Sequence, residues 1–301
     1  MRIIKPVTIT DAILTSSTVP EDDYPVWSSG TTYAAEDRVI STTNHKIYES
    51  AQGSNTNNDP TTDDGTWWLT VSATNRWKAF DQKVTEQVTE ANSIEYVLNP
   101  TGEFITSVAF FNLDASELQL QLEDATEGEY YNETFDLIDN SYVADWYSYF
   151  FEPQRKLEEL VVTDLPPFTG PTVTVTISET GSTAEVGQII IGRFLDIGAL
   201  EYNSSVSIED YSRKERDEFG NPIIVQRAFS QLADYDVTFE TSAVRRVQSI
   251  LSEIRTTPVV WFAGANTSQY GTTIYGYYRD FNISLSTPSI SYATIEVEGL
   301  V

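Results

Sequence analysis

Val173-Thr174-Val175-Thr176-Ile177 alternates apolar β-branched residues with threonine over five positions. Successive side chains on a strand point to opposite faces, so this pattern predicts a strand with one face in a core. Working outward, the same period of two returns in Ile94–Leu98, Leu118–Leu122 and Ile290–Val297. Asn99-Pro100-Thr101-Gly102, Pro166-Pro167 and Gly170-Pro171 punctuate these segments with turn residues, as in a β-sandwich. One helix interrupts the pattern. Val244, Val247, Ile250, Leu251 and Ile254 recur at helical spacing behind Thr241-Ser242, an N-cap signal, and Pro258 stops the run. The chain is expected to be mainly β and multidomain, with one helix packed on a C-terminal antiparallel sheet.

The 301 residues are 40% hydrophobic, enough for a large core divided among two or three domains. Against 45 Asp and Glu stand 18 Lys and Arg, and the net charge of −27 repels nucleic acid and anionic membrane alike. Neither nucleic-acid binding nor membrane insertion is expected, and the longest apolar runs, such as residues 259–263, are far shorter than a membrane span. The opening MRIIKPVTIT lacks the apolar stretch of a signal peptide and reads as a strand. With no cysteine there is no disulfide, thiolate nucleophile or Cys-ligated zinc. The single histidine, His45, falls in Thr42-Thr43-Asn44-His45-Lys46, which reads as a hairpin turn. No nucleophile elbow, phosphate-binding loop or dinucleotide fingerprint is present, so neither catalysis, cofactor nor metal is expected. A carboxylate pair for glycoside hydrolysis is the weakest of the readings left open.

Charge is unevenly spread. Residues 1–200 hold 10 basic and 32 acidic residues and residues 201–301 hold 8 and 13, a shift that suggests a boundary near residue 200. From Asp81 to Glu152 there are 16 carboxylates and only Lys83 as counter-charge. This predicts a solvated anionic face, with calcium or a basic partner as the alternatives.

Residues 27–72 are the most informative for function. They contain Trp27-Ser28-Ser29-Gly30-Thr31-Thr32-Tyr33, Asp37-Arg38-Val39-Ile40, Lys46-Ile47-Tyr48-Glu49-Ser50-Ala51, Asp59-Pro60 and Thr66-Trp67-Trp68-Leu69. This order resembles the small chitin-binding-type carbohydrate-binding modules of bacterial chitinases and cellulases. The resemblance implies a miniature three-stranded fold held by Trp27, Tyr33, Tyr48 and one of Trp67 or Trp68, and it marks these five as the carbohydrate-binding candidates. Two departures stand out: Glu36-Asp37 where the family has Gly-Asp, and Gln52-Gly53-Ser54 where it has an exposed aromatic pair. Either the module holds glycan, with one of the adjacent rings of Trp67-Trp68 exposed, or it is a spacer or protein contact.

Residues 1–26 precede this module as a strand or arm, and residues 73–200 read as a β-sandwich. Its opening, Asn75-Arg76-Trp77-Lys78-Ala79-Phe80-Asp81, is similar to the first strand of galactose-binding-like jelly rolls. Asp145-Trp146-Tyr147-Ser148-Tyr149-Phe150-Phe151 reads as a strand with alternate aromatics in the core, with a binding edge or interface as the alternative. Residues 201–301 contain Asp210-Tyr211-Ser212-Arg213-Lys214-Glu215-Arg216-Asp217-Glu218-Phe219-Gly220-Asn221, a mixed-charge strand ending in a turn. They continue through the helix, an apolar strand at 259–263, a Gly/Asn/Ser/Thr loop at 264–272 expected to be a mobile tip, and two last strands. These charged segments, Tyr275-Gly276-Tyr277-Tyr278-Arg279-Asp280-Phe281 and the terminal Glu298-Gly299-Leu300 resemble virion structural proteins of tailed bacteriophages, of the tail and baseplate type. The resemblance implies ring-like self-assembly, with Tyr211, Arg213, Lys214, Arg216, Phe219, Tyr275, Tyr278 and Arg279 as the assembly residues. It further implies tail, baseplate or fibre proteins as partners and a location in the virion after synthesis in the host cytoplasm, with host-surface glycan as the alternative partner.

Overall fold

The computed structural model describes residues 1–139, 143, 145–152, 155–263, 272–285 and 287–301, with Ser148 and Tyr149 described by backbone alone. The expected loop at 264–272 lies outside the described residues except for Thr272. The molecule is mainly β and dominated by one large antiparallel sheet, and a helix packs near the C-terminal end.

The alternating stretch at 173–177 opens a single strand of 25 residues, Thr172–Asp196. Strand Val88–Leu98 runs beside most of it, from Leu98 opposite Val173 to Val88 opposite Val186. On the other side it pairs first with Glu117–Asp124 and then with Ser107–Asp114. Between these two partners the register jumps from Ser178↔Ser93 to Thr183↔Ala91. Asn92 (φ 66) and Gly181 (φ 82) both turn left-handed there, and the Gly181 N–H donates to the Asn92 side-chain oxygen at 3.0 Å. Such a bulge bends both strands together and lets them wrap a core. That core holds Ile94, Tyr96, Phe110, Leu118, Leu120, Val175 and Ile177, all fully buried.

The far end of the long strand leaves the sandwich and joins the rest of the chain. Gly192–Asp196 pairs with Arg2–Pro6, and Arg2–Ile4 pairs in turn with Val260–Phe262. The sheet continues through Val259–Phe262, Ile274–Ser284, Ile290–Gly299 and Phe229–Glu240. Alternation on the short strand Arg2–Pro6 therefore serves two cores. Ile3 faces a core with Trp261, Tyr235 and Ile295, whereas Ile4 faces one with Phe111, Ile190 and Tyr275.

Helix Val244–Glu253 covers the first of these cores with Val247 and Leu251, one turn apart and both fully buried, and Ile254 follows. The Tyr278 hydroxyl donates to the Leu251 carbonyl at 3.0 Å and ties the helix end to the sheet. Thr241 and Ser242 do not cap this helix. The Thr241 hydroxyl is taken up across the sheet, 2.9 Å from the Ser291 hydroxyl, and a one-turn 3-10 segment, Thr241–Ala243, leads into the helix instead.

Asp145–Phe151 corrects the expectation of a buried aromatic strand. Trp146–Phe151 is a short helix with Trp146, Tyr147, Phe150 and Phe151 exposed. At helical spacing Trp146 stacks on Phe150 and Tyr147 meets Phe151 at a tilt, with ring centroids 6.1 and 5.1 Å apart.

The small module is a three-stranded sheet, Arg38–Ser41, Lys46–Ser50 and Trp68–Ala73, with a short ladder of Thr32–Tyr33 on Asn55–Thr56. Its attachment to the sandwich runs through His45, which sits at φ 56 in the expected hairpin turn. One ring nitrogen lies 2.9 Å from Glu21 and the other 2.9 Å from Asp11, and the ring stacks on Trp77 at 4.0 Å. Thr74 donates its hydroxyl to the same Glu21 carboxylate and its N–H to the His45 carbonyl. Three separate segments meet on this one side chain.

Candidate functional site

Two regions carry the residues singled out by sequence. In the module, Tyr33, Tyr48 and Trp68 are buried together with Val39, and Trp27 and Trp67 pack half-buried against them. Trp68 meets Tyr33 edge-on at 5.1 Å and donates its indole N–H to the Asn58 carbonyl at 2.9 Å. The Asp63 carboxylate accepts the N–H groups of Trp67 and Trp68 at 3.1 and 3.0 Å, which fixes the turn that leads into strand Trp68–Ala73. Trp68 is buried and Trp67 is half-buried against the same core, so neither of the adjacent rings is the freely exposed one that was expected. Glu36 stands where the resembled modules carry glycine and holds φ 70, a left-handed backbone that costs about 1 kcal/mol in a non-glycine residue. The glycine-type turn is thus kept without the glycine. Gln52, Gly53 and Ser54 are exposed and offer no flat ring to a sugar. Among the five candidates, Trp27 and Trp67 are half-buried and the other three are buried.

The second region is a projecting two-stranded ribbon. Ser205–Asp210 pairs with Phe229–Asp234, and beyond a bend Arg213–Arg216 pairs with Pro222–Val225. The next sheet strand ends its pairing at Leu232↔Glu298, so the ribbon runs past the sheet by roughly 25 Å at strand rise. Its turn is held by Asp217, whose carboxylate accepts the N–H groups of Phe219 and Asn221 at 2.9 and 2.8 Å. The Asn221 side-chain amide, which donates to Asp217 at 2.8 Å, and then these backbone bonds hold the Asp217 carboxyl below the usual range, and Lys214 with Ser212 does the same for Asp210.

Along Phe229–Glu240 the core side carries Phe239, Val237, Tyr235 and Ala233, all buried, and then Gln231 and Phe229, which are not. Val206 opposite Ala233 and Ile208 opposite Gln231 extend this side, so the core surface of the sheet continues outward without cover. Further out Ile223, Ile224 and Val225 are exposed, and Phe219 at the tip is 88% exposed. Val206, Ile208, Phe229 and the exposed run Ile223–Val225 thus give the ribbon an uncovered apolar surface.

Of the eight assembly candidates, the structure brings Tyr211, Arg213, Lys214, Arg216 and Phe219 together on the ribbon. Tyr211 donates to Glu298 at 3.3 Å, Arg213 pairs with Glu215, Lys214 pairs with Asp210, and Arg216 has no carboxylate partner among the described residues. Arg279 is exposed and pairs with Glu298 at 3.6 Å. Tyr275 is buried against Phe111, with its phenol pushed up to about 12 by burial, and Tyr278 is half-buried beneath the helix. These two tyrosines hold the fold together and are not surface groups. Sequence reading missed the exposed run Pro222-Ile223-Ile224-Val225, for which the signal was an apolar strand directly opposite a charged one.

Where the ribbon meets the sandwich, a cleft of about 880 Å³ opens between Phe229, Arg227, Phe111, Leu157, Glu159 and Leu300. Burial and the neighbouring Glu158 push the Glu159 carboxyl up to about 7, while a hydrogen bond from Thr273 opposes them. The folded chain therefore holds a proton between about pH 4.5 and 7 that the unfolded chain releases, so stability falls as pH rises across that window. Glu159→Gln is expected to match the parent at pH 4.5 and to exceed it by about 2 kcal/mol at pH 8. Urea unfolding at the two pH values checks this, and an equal gain at both would dissociate it from the carboxyl's titration.

No family model matches the chain, and no curated protein matches it. A solved structure, a mutant of the lectin binding domain of Lectinolysin complexed with Lewis b, aligns over 39% of this chain and 82% of that chain at 14% identity, with a TM-score of 0.28. Likeness at that level carries no argument about fold or ligand.

Proposed function

We propose that the chain is a non-enzymatic structural component of a bacteriophage tail or baseplate, assembling symmetrically and linking the tail to fibres or host-contact parts. The observation that carries this reading is the ribbon at 205–229, whose apolar side is continuous with a core yet uncovered in the single chain. Such a surface is covered in an assembly, and identical subunits in a closed ring give each ribbon an equivalent neighbour. The contacts of His45 with Asp11, Glu21 and Trp77 support a module anchored on the sandwich. Peptide mass spectrometry of purified virions, combined with cryo-electron microscopy, tests the proposal. Presence at a symmetric copy number is the expected result, and absence from particles overturns it.

A second reading is that the chain itself holds host-surface glycan. It rests on Trp67 and Trp27, the module rings that keep solvent-facing area. Under it, Trp67→Ala abolishes retention on insoluble polysaccharide while thermal unfolding is unchanged. Equal retention by the variant removes this reading.

A further inference from the structure

We propose that the junction between the small module and the sandwich is a proton-dependent latch: when charged, the His45 ring ties the module to both Asp11 and Glu21, and when neutral it lets go of Asp11 and frees the module to swing. The latch holds under either functional reading, because it governs how the module is presented, whatever the module contacts.

The chain enters the module through residues 20–26 and leaves it through residues 73–75, and these two connections lie side by side. The Thr74 hydroxyl donates to the Glu21 carboxylate at 2.9 Å, and the Asn75 N–H donates to the Asp23 carboxylate at 3.2 Å. Two adjacent connections make a hinge, a few loop residues that absorb rotation. His45 adds the tie that opposes such rotation. It reaches Asp11, which belongs to the turn before Leu14–Ser17, a strand paired with Val88–Leu98 of the sandwich.

Whether this tie holds depends on how many protons the ring carries. A carboxylate only accepts hydrogen bonds, so the two 2.9 Å contacts of the ring, Nδ1 with Glu21 and Nε2 with Asp11, call for a hydrogen on each nitrogen. A neutral imidazole has one. The Glu21 contact is the one kept, because that carboxylate is 10% exposed and already held by Thr74, whereas Asp11 is 72% exposed and able to turn away into water. Nε2 is shut off from solvent and makes no aligned hydrogen bond, so without its proton its lone pair faces the Asp11 oxygen at 2.9 Å and repels it. Trp77 stacks on the ring at 4.0 Å and 18°, and an indole face attracts a charged ring more strongly than a neutral one. Of the other charges around the junction, Asp22 and Asp23 follow Glu21 in the arm, Arg76 donates to the Val19 carbonyl at 2.7 Å, Lys78 lies on the same 3-10 turn, and Lys46 is the exposed neighbour of His45 in the module. The tie is therefore complete while the ring is charged and is lost as pH rises through the ring's titration, within the span of about pH 5 to 8 over which histidine side chains change charge.

His45 is the only histidine and the chain has no cysteine, so both probes of the latch are unambiguous. The full-length chain carries spin labels at Ser29→Cys in the module and Ser182→Cys in the sandwich, both exposed, and the distance between them is measured by electron–electron double resonance while the imidazole signals are followed by NMR over the same pH range. The expected result is a narrow distance distribution at low pH that widens roughly twofold at high pH, in step with the ring's titration, as a latched junction becomes a free hinge. Asp11→Asn keeps the distribution narrow throughout, because its amide can donate to the neutral nitrogen as well as accept from the charged ring. His45→Asn, which tolerates the φ of 56 but is too short to span both carboxylates, leaves it wide throughout. A parent whose distribution does not change with pH overturns the latch. So does a pH response that persists in either variant, since it then belongs to another group, such as the Glu159 carboxyl.

Discussion

Gly192→Ala is expected to lower the stability of the full chain by about 3 kcal/mol and to loosen the strand Arg2–Pro6 before the sandwich core. Gly192 lies opposite Pro6 on one side and Ser107 on the other, where the long strand passes from the sandwich to the C-terminal sheet. A β-carbon there would stand far inside contact distance of the Lys5 carbonyl oxygen and 2.9 Å from its carbon, and both are backbone atoms. Backbone cannot rotate away as a side-chain end can, so the strand must move. Movement withdraws Ile3 and Ile4 from two cores at once, which makes the effect large for one methyl group. Urea unfolding read by tryptophan fluorescence measures the loss, and hydrogen exchange of residues 2–6 locates it. Gly30→Ala, with nothing within 4 Å of the added carbon, serves as the neutral control. Equal midpoints for the two variants would show that the seam yields without cost.

Trp68→Ala is expected to cost about 4 kcal/mol and to unfold the module while the rest of the chain stays folded. The side chain is 2% exposed in a core of only four buried residues, and its removal takes away the edge contact to Tyr33 and the hydrogen bond to Asn58. A domain of about 45 residues has little stability to spare, so a loss of this size exceeds what the module holds alone. Limited proteolysis should cut within residues 27–72 and leave a nicked but folded molecule in which residues 1–26 stay paired with the part from residue 73 onward. A protease-resistant variant would mean that the clamp of Asp11 and Glu21 on His45 holds the module folded from outside.

Local patterns were legible in the sequence where one face of an element is buried. Ile94–Leu98, Leu118–Leu122, Val173–Ile177 and Ile290–Val297 all lie inside observed strands, and the helix spacing of Val244 to Ile254 matches Val244–Glu253. The full length of Thr172–Asp196 was not legible, because residues 186–192 are buried on both faces and show no alternation. At Asp145–Phe151 a period of two and a period of four are both consistent with a run of aromatics, and composition favoured the wrong one. The module's framework was readable because its few aromatics must form the core of so small a fold. For the ribbon, charge and turn residues showed a hairpin, but the absence of cover over Val206, Ile208 and Phe229 is a tertiary fact. Tyr275 and Tyr278 were placed on the assembly surface for the same reason, since a tyrosine-rich strand looks alike whether its rings face a neighbour or a helix.

The short strand Arg2–Pro6 also governs when the molecule can finish folding. Its two neighbours lie about 190 and 257 residues further along the chain, at Gly192–Asp196 and Val260–Phe262. Contacts that distant close late, because the loop between them must be ordered first. During synthesis Ile3 and Ile4 are made long before both of their partner strands, and the seam cannot be complete until the ribosome has passed residue 262. The sandwich can fold while this edge waits, and the C-terminal sheet closes over it as the last strands arrive. A seam that joins residues 2–4 to residues 260–262 also acts as a length check: a chain that stops before residue 260 leaves one edge of Arg2–Pro6 unpaired.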